Sequence, residues 1–144
     1  MKKYDVLKLE NQLCFPLYAC SREVVKKYRP FLDAIGLTYT QYIAMLVLWE
    51  DKKISVKELG KKLYLDSGTL SPMLKSLEAK GLVTRTRYVA DERLLIVELT
   101  EAGEALREKA LVVPEQIKGC IKMDEDKAKQ LYELLYELLT ANEE

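Results

Sequence analysis

The sequence predicts a mainly α-helical protein that contains one small β-hairpin. Apolar residues recur at spacings of three and four along most of the 144 residues, as they do on the buried face of a helix. Serine, threonine or aspartate stands just before several of these stretches, where helix N-caps are found. Residues 82–99 instead alternate in the manner of two strands joined by a turn.

The composition is that of a soluble globular protein, with 49% apolar and 32% charged residues. The sequence has no run of 18 apolar residues and no signal-peptide pattern, so we expect a cytoplasmic protein with no membrane partner. The absence of histidine excludes His-based catalytic triads and most zinc sites. The three cysteines, Cys14, Cys20 and Cys120, are too few and too widely spaced for a disulfide framework or a metal site. We therefore expect no metal and no cofactor.

Two helices are predicted in the first third of the chain. The first covers residues 7–28, and Pro16 lies inside it, so the helix either starts near the proline or bends there. The Arg29–Pro30 step is expected to end this helix. Thr38 and Gln41 form a capping box for the second helix. The second helix is apolar nearly all round and is predicted to be the buried centre of the fold.

Two short helices joined by a tight turn follow. Ser55 and Glu58 cap the first helix, and the turn lies at Tyr64–Leu65. The second helix runs from about Asp66 to Gly81. Its buried face is predicted to consist of Leu70, Met73, Leu74 and Leu77. Its opposite face carries small or basic side chains, namely Thr69, Ser71, Lys75 and Ser76.

Such a polar face on the second of two short helices is typical of a helix-turn-helix, because it can approach phosphates and base edges closely. Because of Pro72, the sequence leaves two possible starts for the second helix. Either the N-cap is Asp66 or Ser67 and the first turn is irregular, or Ser71 is the cap.

The segment 82–99 predicts two strands joined by the turn Ala90-Asp91-Glu92. A basic hairpin directly after a helix-turn-helix is a wing, and Arg93 could enter a minor groove. The alternative is a solvated hairpin in which Asp91 pairs with Arg93. Both interpretations can hold, since such a pair would pre-position the arginine.

The C-terminal third predicts further helices. Thr100 caps one that runs to about Val113, where Pro114 interrupts it, and Asp124 caps the last one. The last helix carries a broad apolar stripe of Leu131, Leu134, Leu135, Leu138 and Leu139. This stripe packs either on the chain's own N-terminal helix or on a second subunit. We favour a homodimer, because DNA readers usually pair two recognition helices.

The expected architecture is therefore mainly α with a small β-wing. A single unit spans residues 1–144, with a winged helix-turn-helix core over 37–99. Helical dimerisation regions at 1–30 and 101–144 flank this core.

Two groups of motifs carry a family resemblance. The segments LDSGTLSPMLKSLEAKGLVTR, ADER and LTEAG resemble the DNA-binding core of the MarR family of winged-helix repressors. The segments LENQLCFPLYACSRE and YRPFLDAIGLTYTQYIAMLVLWE resemble the organic-hydroperoxide-resistance repressors (OhrR type). The resemblance covers nearly the whole chain.

This resemblance implies a role for Cys14, which corresponds to the peroxide-sensing cysteine of the subfamily. Tyr28 and Tyr39 correspond to tyrosines implicated in binding the sensing sulfur. Phe15 and Tyr18 are expected to complete the sensing pocket. At the DNA, the resemblance and the positions imply major-groove contacts from Ser67, Thr69, Ser71 and Pro72, a phosphate contact from Lys75, and wing contacts from Asp91 and Arg93.

The sequence leaves open which thiol reacts with an oxidised Cys14. Cys20 lies six residues away, about 9 Å along a helix, which exceeds the roughly 7 Å limit for a disulfide, so it is a poor partner unless Pro16 breaks the helix between them. In some members of the subfamily a cysteine near the C-terminal helices resolves the sulfenic acid, which points to Cys120 of the other subunit. The alternative is capping by a small thiol, with Cys120 idle. We expect Cys120 to lie in a linker over residues 119–123, before the last helix.

The leading hypothesis is thus a repressor that binds double-stranded operator DNA and is released when organic hydroperoxide oxidises Cys14. The alternative is a MarR-type repressor released by a phenolic or other small ligand, with Cys14 structural. An enzyme, a thiol peroxidase, is disfavoured because no recycling motif and no histidine or arginine adjoins Cys14.

Overall fold

A computed structural model describes residues 2–88 and 90–143. Two 3₁₀ helices, Asp5–Leu7 and Leu9–Asn11, precede the first α-helix. The α-helices are α1 (Cys14–Asp33), α2 (Tyr39–Asp51), α3 (Val56–Leu63), α4 (Ser67–Ala79), α5 (Glu101–Ala110), α6 (Val113–Cys120) and α7 (Glu125–Ala141). The strands are β1 (Lys53–Ser55), β2 (Val83–Tyr88) and β3 (Asp91–Leu99). The predicted fold class, mainly helical with a small wing, is confirmed.

Helix α2 forms the centre of the core, as predicted. Its capping box is complete, because the Thr38 hydroxyl accepts the N–H of Gln41 and the Gln41 side chain accepts the N–H of Thr38. Ala44, Met45 and Leu48 are fully buried. The α2 core also holds apolar side chains of α1, α3, α4, the sheet and α6, namely Leu32, Leu59, Leu74, Leu77, Val83, Val97 and Val113.

Helix α1 differs from its prediction at its C-terminal end. It continues through Pro30 to Asp33, so the expected stop at the Arg29–Pro30 step is wrong. The proline removes one hydrogen bond in the last turns, but the extra turn places Leu32 in the core, only 2% exposed. Gly36, with φ of 73°, then reverses the chain. Pro16 lies in the first turn, where its missing N–H costs nothing, so the helix starts near it instead of bending.

The sheet has three strands in the order β1-β3-β2, and all neighbours are antiparallel. Strand β1 was not predicted, because three residues are too short to show alternation. It exists through its pairing with β3, in which Lys53 lies opposite Glu98. Strand β3 begins at Asp91, whereas a turn over residues 90–92 was expected.

The C-terminal helices also depart from the prediction. Helix α5 ends at Ala110, three residues early, and α6 begins at Val113 with Pro114 in its first turn. Cys120 is the last residue of α6, so its expected place in a linker is wrong. Asp124 stands at the N-cap of α7, but its side chain makes no capping hydrogen bond. Within the described residues no helix has the length and hydropathy needed to cross a membrane.

Candidate DNA-binding face and cysteine site

Helix α4, the predicted recognition helix, starts at an aspartate cap. The Asp66 carboxylate accepts the N–H of Thr69 at 2.8 Å, so Ser71 is not the cap. Hydrogen bonds from Thr69 hold the pKa of Asp66 below its usual range. With this start, Pro72 falls in the second turn, and α4 continues through it to Ala79.

The two faces of α4 divide as predicted except at Ser76, which is half-buried. Its apolar face packs into the core through Leu70, Met73, Leu74 and Leu77. The five side chains predicted to contact DNA are exposed, namely Ser67, Thr69, Ser71, Pro72 and Lys75. The fold therefore presents one small, polar surface that carries Lys75.

Ser76 is not part of that surface. Its hydroxyl receives a hydrogen bond from the Gln41 amide at 3.0 Å. Lys80 donates to the Gln41 amide oxygen at 3.0 Å and to the carbonyl of Gly36 at 2.6 Å. Because Gln41 is almost fully buried, this network ties the C-terminal half of α4 to the start of α2.

The turn between α3 and α4 is tight because of Gly60. A Cβ there would lie 2.8 Å from the carbonyl oxygen of Leu65 and 3.0 Å from the Leu70 side chain. Tyr64 adopts a left-handed conformation, with φ of 56°, and ends α3. The close approach at Gly60 sets the packing of the two short helices.

The wing is anchored to α4 at its base. The Glu78 carboxylate accepts the backbone N–H of Arg85 at 3.1 Å and a guanidinium N–H of the same residue at 3.2 Å. Arg85 is thus engaged within the protein. The side chains of Asp91 and Arg93, predicted to contact DNA, lie outside the described residues.

Cys14 is exposed and is the first residue of α1. Phe15 and Tyr18, predicted to line its pocket, are 42% and 57% exposed and lie in the first turns of the same helix. Tyr18 accepts a hydrogen bond from Arg22 at 3.0 Å. All three cysteines are free, and neither Cys14 nor Cys20 is shielded from solvent, whereas Cys120 is half-buried.

The tyrosines predicted for the pocket lie elsewhere in the chain, in a cluster of three. Tyr28 of α1 contacts Tyr39 of α2 edge to face, with ring centroids 4.9 Å apart. Tyr42 of α2 adjoins both, at 5.9 Å from Tyr28 and 6.4 Å from Tyr39. Burial raises the pKa of each phenol, and the neighbouring phenols raise the pKa of Tyr28 and Tyr42 further.

Tyr42 was not singled out in the sequence. The available signal was its spacing, because residues three apart on a helix lie on the same face as Tyr39. Within the described residues no group of histidine, cysteine, aspartate or glutamate could hold a metal ion.

One chain does not bring Cys14 and the tyrosine cluster together. Both Cys14 and Tyr28 lie on α1, and their separation of 14 positions corresponds to about 21 Å of rise along the helix. Cys20 stays about 9 Å along α1 from Cys14, because Pro16 does not break the helix between them. Helix α6, which ends at Cys120, packs against α1.

Helix α7 has no buried residue in this chain. Its leucine stripe is largely solvent-exposed, with Leu134 at 61% and Leu138 at 49%. At its C-terminal end, Glu143 accepts a hydrogen bond from the Tyr64 hydroxyl at 2.5 Å.

Comparisons with known proteins agree on the type of molecule. Residues 26–110 match the family model described as transcriptional regulator SarA/Rot. The chain is 53% identical to the organic hydroperoxide resistance transcriptional regulator of Bacillus subtilis, over 95% of this chain and 93% of that protein.

Solved structures of AbfR of Staphylococcus epidermidis also resemble the chain. Reduced AbfR bound to DNA is 39% identical, with a TM-score of 0.77 and 96% coverage of each chain. Disulfide-formed AbfR is 38% identical, with a lower TM-score of 0.64 over 96% of this chain and 94% of that one. Overoxidised AbfR bound to DNA has the same TM-score of 0.77 as the reduced complex, so the conformation described here is nearer to the DNA-bound forms than to the disulfide form. Taken together, the fold and the relatives show that the chain belongs to the MarR/SarA family of winged helix-turn-helix transcriptional regulators, a family of regulators and not of enzymes.

Proposed function

We propose that the protein is a repressor that binds operator DNA as a homodimer and is released when organic hydroperoxide oxidises Cys14. The observation that carries the proposal is the exposure of Cys14 at the start of α1 in a chain 53% identical to an organic hydroperoxide resistance regulator. An exposed thiol is open to an oxidant, whereas a buried structural cysteine is not.

The DNA-binding part of the proposal is supported by the face of α4. Ser67, Thr69 and Ser71 can donate to base edges in a major groove, and Lys75 can bind a phosphate. DNA is bound in the reduced AbfR structure that shares 39% identity with this chain. For the wing, Arg93 remains the proposed minor-groove contact and Asp91 its partner.

The dimer completes the proposed sensing pocket. Tyr28 lies about 21 Å along α1 from Cys14 of its own chain. Tyr39 packs against Tyr28, so we infer that neither tyrosine reaches that sulfur within one chain. A second copy whose α1 crosses antiparallel can place its tyrosines beside the sulfur. Phe15 and Tyr18 then contribute from the cysteine's own helix, and Phe15 supplies an apolar wall for an organic group.

The proposed chemistry has two steps. The Cys14 thiolate attacks the outer oxygen of the hydroperoxide; the S–O bond forms, the O–O bond breaks and an alcohol leaves after taking a proton. The thiol of Cys120 from the other subunit then attacks the sulfenic sulfur, forms a disulfide and expels water. If Cys120 is idle, a small thiol performs the second step. Either product biases the dimer towards a spacing of the α4 helices that no longer matches two half-sites.

The test is a titration of operator binding with cumene hydroperoxide. We expect the wild-type protein to release DNA and Cys14→Ser to stay bound. Cys20→Ser serves as the matched control, because its thiol is also exposed on α1, and it should respond like the wild type. Non-reducing mass spectrometry then reports whether the oxidised product links Cys14 to Cys120 across subunits. If Cys14→Ser releases DNA as readily as the wild type, the sensing role is wrong.

A second candidate function rests on a cleft beside α4. This cleft of about 1250 Å³ lies between α3, α4, the strands and the end of α7. Apolar Leu65, Leu70 and Leu94 line it together with Lys57 and Lys61, a combination that suits a small aromatic acid. Under this alternative, salicylate would release DNA from reduced Cys14→Ser. Retention of DNA at saturating salicylate would exclude it for this class of ligand.

A further inference from the structure

The hydroxyl of Tyr42 belongs to the tyrosine cluster but has no role in the sensing pocket proposed above. The ring of Tyr42 is covered on nearly all sides, and the whole residue is only 5% exposed. Its hydroxyl oxygen is nevertheless not among the fully buried side-chain atoms that lack a partner. Solvent therefore reaches Tyr42 at its polar end, next to Tyr28 and Tyr39.

The three hydroxyls of the cluster are available for an incoming acceptor. In residues 2–88 and 90–143, none of the three forms a hydrogen bond with another described group. Their rings lie side by side, with centroids 4.9 to 6.4 Å apart. Because burial raises the pKa of all three, they remain protonated donors at neutral pH.

Packing alone does not account for the Tyr42 hydroxyl. A phenylalanine would fill the same space among the rings at 5.9 and 6.4 Å. Any group that binds against the exposed edge of the ring removes water from this hydroxyl. Such binding is costly unless the group accepts a hydrogen bond in place of water. The group that docks must therefore accept hydrogen bonds.

We propose that Tyr42 is a third hydrogen-bond donor of the peroxide-sensing site, acting with Tyr28 and Tyr39 on the sulfur of Cys14 from the second subunit. This inference rests on the proposed function and extends it to a residue outside the pocket set out above. A thiolate accepts several hydrogen bonds, so a third donor increases the fraction of Cys14 that is ionised at neutral pH. It would also orient the sulfur towards the oxidant.

The experiment measures alkylation of Cys14 by iodoacetamide between pH 5 and 9, read on the Cys14 peptide by mass spectrometry in the reduced full-length protein. Tyr42→Phe keeps the ring and removes the donor. We expect its alkylation rate at pH 7 to fall about tenfold and the midpoint of its pH profile to rise by about one unit. Tyr28→Phe should behave alike. Tyr64→Phe removes a hydroxyl outside the cluster, at the end of α3, and should match the wild type.

Thermal unfolding and a second variant distinguish the loss of the hydrogen-bond donor from a loss of folding stability in Tyr42→Phe. Tyr42→3-fluorotyrosine keeps the hydroxyl but makes it a stronger donor, so the midpoint should shift downwards. A Tyr42→Phe profile that overlays the wild type, while Tyr28→Phe shifts, would overturn the proposal for Tyr42. The alkylation assay uses neither peroxide nor DNA. It therefore tests Tyr42 separately from the titration with cumene hydroperoxide, whose failure in Cys14→Ser would overturn the sensing function itself.

Discussion

At the scale of single residues, the tyrosine cluster ties stability to pH. Burial raises the pKa of Tyr39 above that of a free phenol, about 10. The pKa of Tyr39 is higher in the folded state than in the unfolded state. The contribution of this phenol to the unfolding free energy is therefore fully present below about pH 10. It is lost as the pH rises through the folded value, where the phenol of the native state must ionise.

Tyr39→Phe removes this ionisation. We expect the unfolding free energy of the wild type to decline more steeply than that of Tyr39→Phe as the pH rises above about 10. Urea midpoints at several pH values measure the difference. Tyr4→Phe, at an exposed tyrosine outside the cluster, should follow the wild-type curve. Parallel curves for wild type and Tyr39→Phe would show that the burial of Tyr39 is not coupled to folding.

Residues also show where sequence reasoning reaches its limit. The buried face of α4 and the capping box at Thr38 were predictable, because spacing and local hydrogen bonds fix them. Ser76 has the same spacing as an exposed residue but bonds to Gln41, 35 positions away. Such a contact depends on how α2 meets α4, and no local pattern records it.

At the scale of elements, Gly103 determines how α5 approaches the wing. A Cβ there would overlap the carbonyl oxygen of Leu82 and lie 2.7 Å from the Leu99 side chain. The carbonyl of Gly103 also accepts a hydrogen bond from the buried indole of Trp49 at 2.8 Å. The α5 backbone therefore has little room to withdraw.

Gly103→Ala should consequently destabilise the fold by about 3 kcal/mol, at the upper end of overpacking effects. Gly119→Ala is the matched control, since nothing lies within 4 Å of a Cβ at that helical position. It should stabilise the fold by roughly 0.5–1 kcal/mol through helix propensity. Chemical denaturation measures both. Equal effects from the two substitutions would mean that α5 packs less closely than the structure indicates.

Elements that depend on distant partners were the ones missed. Strand β1 exists only as the neighbour of β3, more than forty positions later. Helix α1 passes Pro30 because Leu32 gains a place in the core, and that gain outweighs one lost hydrogen bond. Local rules for proline describe the cost correctly but not the tertiary compensation.

At the scale of the whole molecule, the single chain leaves two features unsatisfied. Cys14 and the tyrosine cluster are separated by about 21 Å of α1, and α7 buries none of its residues. The leucine-rich stripe of α7 could be predicted from the sequence. The distance between Cys14 and the tyrosine cluster could not, because it depends on where α1 begins and ends. The proposed homodimer would resolve both features.

Helix α7 therefore offers a direct test of the proposed homodimer. Leu134→Glu places a charge on the stripe at a side chain 61% exposed in the single chain, so the monomer fold should survive. In the dimer that charge would be buried and unpaired, which opposes association. We expect sedimentation equilibrium to show the 16.6 kDa monomer for Leu134→Glu and a dimer for the wild type. Operator affinity should fall about 100-fold, because two half-sites are no longer bound together. Glu133→Gln, the exposed neighbour on the same helix, should remain dimeric, and a dimeric Leu134→Glu protein would move the interface away from α7.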